Sequence, residues 1–220
     1  LASVAYGPIL NQINKGDQMQ ALTNMKNVGV AMNEFKSNSK LGNFPDDITA
    51  DRVVAQHNYM SGLGALQGDT SNDYFRQLLG NESVSESNFY AKVQTPSVTP
   101  NGEIYDGQAL TPGEVGISYV MRKGDNNKKV GIGSSVGEYP LMVTSVLPGE
   151  DGSTVVAGNA VRFDPESFRG KVLIFTTAQS AKTLELDDND NLQDTFIPKR
   201  RGKDISDQFL ILTPDFSGQE

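Results

Sequence analysis

From Leu22 the large apolar residues fall at Leu22, Met25, Val28, Met32 and Phe35, in steps of 3, 3, 4 and 3 residues. That spacing constrains the fold more than any other feature of the chain. Steps of three and four place all five side chains on one stripe of a 3.6-residue helix, so the segment must lay that stripe against a core. Asn24, Lys26, Asn27, Asn33, Glu34 and Lys36 are assigned to the other faces. Leu10 and Ile13 continue the stripe backward, through a Gly16 that weakens the helix, and Pro8 marks a place for a kink. The small and polar run at residues 37–42 ends it.

Beyond this helix, Asn43, Phe44, Pro45, Asp46 and Asp47 read as a turn, because proline holds its predecessor extended and the aspartates can accept nearby amides. Residues 49–60 fit either helix or strand, with helix the preferred reading. Residues 72–79 read as a further helix, with Ser71 as N-cap, Asp73 favourable in the first turn and Gly80 past the end. After about residue 110 the texture changes to short β-branched runs at 115–122, 129–132, 141–146, 171–177 and 208–213, separated by Gly, Pro, Asn and Asp. These predict an antiparallel sheet. Only 37% of the 220 residues are hydrophobic, with 22 Gly and 10 Pro, so apolar clusters must be joined by long polar connections. The expected architecture is α+β in a single domain over residues 1–220: a helix at 1–38, a helix- and loop-rich insertion at 39–110, and the sheet at 111–220.

The chemistry such a chain can carry is narrow. It has no Cys, which excludes disulfides, thiolate metal sites and a cysteine nucleophile. A net charge of −8 opposes binding to phosphate backbones, so nucleic acid is not an expected partner. Gly133, Ser135 and Gly137 have nucleophile-elbow spacing, but no helix follows, and the one histidine, His57, lies upstream rather than downstream. His57 has no second histidine or cysteine with which to hold zinc. Asp187, Asn189 and Asn191 match the opening of a calcium loop, with Asp188, Asp190 and Asp194 nearby. The pattern then fails, since Leu192 stands at the glycine position and Pro198 at the bidentate one, and a solvated turn is the expected reading. Lys199, Arg200, Arg201 and Lys203 form a basic cluster that is expected to offset these acids. Glu82, Glu86, Glu114 and Glu138 form no acid–base pair that spacing alone identifies. No catalytic residue and no cofactor is expected.

One long N-terminal helix followed by a meander of strands is the layout of type IV pilins and type II secretion pseudopilins, which the chain resembles most over residues 1–47. Tyr6, Gly7, Pro8, Ile9 and Leu10 resemble the end of that family's apolar membrane helix, and residues 21–32 its amphipathic half. Gly42, Asn43, Phe44 and Pro45 resemble the family's glycine-x-phenylalanine-proline exit. Residues 72–79, then Glu86, Ser87, Asn88, Phe89 and Tyr90, are similar to large pseudopilin-like proteins, as is the run 110–116. No run approaches the ~18–20 apolar residues that cross a bilayer. The apolar opening without Met reads as what remains beside an upstream membrane segment.

The resemblance implies a non-enzymatic filament subunit of a bacterial cell envelope, anchored in the inner membrane with its domain periplasmic or extracellular. Other pilin-like subunits would be its partners. Ile9, Leu10 and Ile13 would pack between subunits, while Leu22, Met25, Val28, Met32 and Phe35 would bind the helix to its own sheet. Some pseudopilins hold calcium in a C-terminal loop, which makes residues 187–191 the one calcium candidate. The alternative is a secreted or periplasmic module binding glycans or a surface, with the helix only bracing its sheet.

Overall fold

In the computed structural model, the described residues are 6–39, 42–56, 62–79, 84–93, 98–133, 138–192 and 196–217, with side chains in the first helix described from residue 12. The chain is α+β. Helix α1 spans Tyr6–Asn38, and at 33 residues it is about 50 Å long. It runs through Gly16 and carries Pro8 in its first turn, where a missing N–H costs nothing. Among the described residues no helix is long and apolar enough to cross a membrane.

Helix α2 spans Asp47–Gln56 and α3 spans Ser71–Leu79. Asp46 caps α2: its Oδ1 accepts the N–H groups of Ile48 and Thr49, and its own N–H donates to Thr49 Oγ1. At α3 the expected cap, Ser71, is displaced by one residue. Ser71 N–H donates to the Thr213 carbonyl, and the cap pair is Thr70 with Asp73, whose Oδ2 accepts both the N–H and the hydroxyl of Thr70.

The sheet has seven strands, all paired antiparallel: β1 Ile117–Lys123, β2 Lys129–Val130, β3 Pro140–Thr144, β4 Val155–Ala157, β5 Lys171–Thr176, β6 Ala181–Glu185 and β7 Phe209–Leu212. Their order is β4-β7-β1-β3-β5-β6, with β2 pairing only the end of β1. Five of these follow the runs read in the sequence. β4 is missed because it has three residues, and β6 because it is an edge strand of Ala, Lys, Thr, Leu and Glu, a polar composition that protects an unpaired edge.

Register aligns Leu212, Tyr119, Met142 and Phe175 across one face of the sheet. This row receives the helices: Phe75 of α3 stacks on Tyr119 at 5.5 Å between ring centroids, and a Cβ added at Gly29 of α1 would collide with the Phe175 ring. The opposite face, with Val120, Val143 and Ile174, is buried as well, and one hydrophobic cluster spans helices, sheet and the irregular segments that carry Phe163, Ile197 and Ile205. Helix α1 lies beside β5 and runs in its direction. Gln18 Nε2 donates to the Phe168 carbonyl just before β5, and Gln179, just after β5, shares a shallow groove with Val30 and Ser37.

Candidate interface on the N-terminal helix

Met25, Val28, Met32 and Phe35 are buried against the sheet, joined by Ala21 and Ala31. Leu22 is half-buried at the margin of the cluster. The expectation that Asn24 faces away is corrected: it lies on the packed face, and its Nδ2 donates to the carbonyls of Ser87 and Tyr90 at 3.0 and 2.8 Å. Its position four residues before Val28 is the signal that places it there. Gly29 lets the helix backbone approach the sheet closely. Lys36 holds its ammonium 4.9 Å above the centre of the Phe44 ring.

This sealed packing ends at Asp17 and Gln18, which bind Lys92 and the Phe168 carbonyl. Ahead of them Gln12, Ile13, Lys15 and Gly16 are exposed, with Ile13 at 48%. Ile9 and Leu10 belong to α1, but their side chains lie outside the described residues. Ile13 stands 15 residues before Val28, which keeps it near the stripe of the buried residues rather than on the outer face. Met19 and Val30, 69% and 54% exposed, lie on the other side of the helix. The apolar stripe therefore changes from covered to uncovered along one continuous helix.

Most groups singled out for chemistry are elsewhere. His57, Glu82, residues 134–137 and Asp194 lie outside the described residues. Asp187 Oδ1 accepts the backbone N–H groups of Asn189 and Asn191, both at 2.9 Å, and these bonds hold its carboxyl below the usual carboxylate range. Among the described residues no three His, Cys, Asp or Glu side chains are gathered for a metal ion.

Glu86 and Glu114, which spacing could not relate, are only 2% and 1% exposed. Glu86 accepts the N–H groups of Leu110 and Gly102, at 2.7 and 2.9 Å. Glu114 accepts those of Thr111 and Asn101, at 2.7 and 3.1 Å. Each carboxylate uses both oxygens on backbone amides, so the pair clamps the chain around residues 101–111 rather than presenting an acid and a base. Burial pushes the Glu86 carboxyl up, against the bond from Leu110, and the neighbouring Glu114 charge adds to the rise.

The expected offset of the basic cluster by residues 187–194 is also corrected. Among the described residues no ion pair joins the two, because the topology puts them at opposite ends of the sheet. Comparison of the chain with protein-family models, with curated proteins and with solved structures returns no match.

Proposed function

We propose that the chain is a non-enzymatic structural subunit that assembles with other pilin-like subunits, its own copies or relatives, through the leading part of α1. The reading carries with it the pilus or pseudopilus role and the bacterial envelope location that the family resemblance implies. One observation supports it above the others: the same helix that seals Met25, Val28, Met32 and Phe35 against the sheet leaves Ile13, near the same stripe, half uncovered. An apolar side chain of that size contributes roughly 1.5–3 kcal/mol when fully buried, which exceeds what an exposed ion pair supplies. Ile9 and Leu10 would have to add to Ile13 along the same flank, since association must first offset the lost free motion of two chains.

The test is sedimentation and electron microscopy of the purified chain beside an Ile13→Asp variant. The expected result is large assemblies for the parent chain and none for the variant, with unchanged thermal unfolding. If Ile13→Asp assembles as the parent does, the helix only braces its sheet, and the binding-module reading replaces this one.

A further inference from the structure

Antiparallel register fixes which loops share an end of the sheet. Thr176 pairs with Pro140, Arg122 with Phe209 and Arg122 with Val130, so the 124–128 hairpin, the start of β3 and the start of β7 lie at one end. The basic turn precedes β7 at that end, where Arg200 lines a small pocket with Arg122, Tyr139 and Phe209. Arg200 and Lys203 pair backbone to backbone across Arg201 and Gly202, both with positive φ, which closes a tight turn. Lys199, Arg200, Arg201 and Lys203 are exposed, as are Arg122 and Lys123 beside them. The acids at this end are Asp204, Asp207, Asp125 of the hairpin and Glu138 before β3; Asp204 is engaged by the N–H and hydroxyl of Ser206, and Glu138 by Lys182 and Ser180, so the basic side chains outnumber them.

At the other end Lys171 pairs with Glu185, and the acidic turn follows β6 directly. Asp187 closes that turn by accepting from Asn189 and Asn191, which leaves Asp188 and Asp190 exposed. Lys171 is engaged by Glu185 at 3.4 Å, and Glu150 of the neighbouring 148–153 turn by Arg162 at 3.5 Å. A strand of seven residues separates the two ends by about 20 Å. Since α1 runs along β5, its leading part leaves from the acidic end, and its axis points from the acidic toward the basic end.

From this placement we infer that the basic turn at residues 199–203 docks against the acidic turn at residues 187–191 of a second copy of the chain. A single surface cannot satisfy itself here, so the contact is heterologous and repeats head to tail, the geometry that generates open filaments. Opposite charges set the register of stacking and speed encounter, while apolar helix contacts supply cohesion. The inference deepens the proposed function and rests on its premise that copies of this chain assemble.

Sedimentation velocity of the full chain in low salt, with two charge variants, tests the contact. Lys199→Glu/Lys203→Glu and Asp188→Lys/Asp190→Asn alter only exposed positions and avoid Arg201, whose φ disfavours exchange. Each is expected to lower the association constant about tenfold, as is raising salt to about 0.5 M, and mixing the two variants in equal amounts restores association. The contact is overturned if association is absent, ignores both variants, or fails to recover in the mixture. It is equally overturned if the chain does not self-associate and Lys199→Glu/Lys203→Glu instead abolishes binding to phosphatidylglycerol vesicles, which would make an anionic surface the partner. The two readings separate cleanly: loss by Ile13→Asp without loss by the charge variants removes this contact and keeps the helix role, and the converse removes the helix role.

Discussion

In the sheet, the row Leu212, Tyr119, Met142 and Phe175 is largely apolar and its backbone groups are paired strand to strand. The described residues between 43 and 116 hold their places by buried side chains that bond to backbone. Arg76 of α3 donates to the carbonyls of Ala109, Leu110 and Ala65 and to Asp73 Oδ1. Gln77 donates to the carbonyls of Asp46 and Leu66 and accepts the Thr49 hydroxyl. Asn72 donates to the Leu110 carbonyl and accepts from Asp215 N–H. Apolar burial tolerates small shifts, whereas a buried hydrogen bond loses most of its value when one partner goes, because the other is left unsatisfied. The two regions should therefore respond differently to mutation and to pH.

The largest effect is expected at Arg76. Arg76→Ala leaves the buried Ala109 carbonyl without its donor and removes the guanidinium from the Leu110 and Ala65 carbonyls and from Asp73, with an expected loss of about 3–5 kcal/mol in denaturant unfolding. If the loss is under about 1 kcal/mol, the polar clamp is not what holds residues 43–116. At the sheet, Gly29→Ala drives a methyl into the Phe175 ring, for a predicted cost of about 1–3 kcal/mol from overpacking. Phe175→Leu in the same chain should recover part of it, and a purely additive double mutant would show that the helix does not rest on that ring.

The smallest effect is the pH response, which has opposite signs in the two regions. Glu86 in the clamp has a folded pKa raised above 4.5 by burial, so its ionisation works against the fold at neutral pH. Its contribution grows as pH falls through the folded value and levels off near 4.5. Glu138, just before β3, accepts from Ser180, Lys182 and Thr176 of the β5–β6 hairpin, which lower its pKa to about 2. Its contribution is full above 4.5 and is lost as pH falls toward 2. Glu86→Gln should flatten the stability curve above pH 4.5 and Glu138→Gln below it. The same slope change from both would erase the distinction between the regions.

These differences also explain what could be read from the chain. The stripe from Met25 to Phe35 and the runs that became β1, β3, β5 and β7 announce themselves by period, because apolar burial imposes a repeat on sequence. Buried polar groups impose none. Nothing in the spacing of Arg76, Glu86 and Glu114 tells that their partners are backbone amides and carbonyls of residues 65–111, which only the folded path brings near. Leu22 and Asn24 exchange roles for a related reason: a stripe is several residues wide, and Asn24 sits closer to its centre than Leu22 does. The opposed charged turns were visible as clusters, but their separation follows from strand register, which loop lengths alone do not determine.

The central claim is that the leading part of α1 is an interface between copies. With no native cysteine, Ile13→Cys and, as a control on the exposed edge strand β6, Thr183→Cys can each be oxidised without background. Intermolecular disulfides are predicted at position 13 and not at 183, in the assembled fraction. Monomeric Ile13→Cys under conditions where the chain assembles, or equal cross-linking at both positions, would contradict the account.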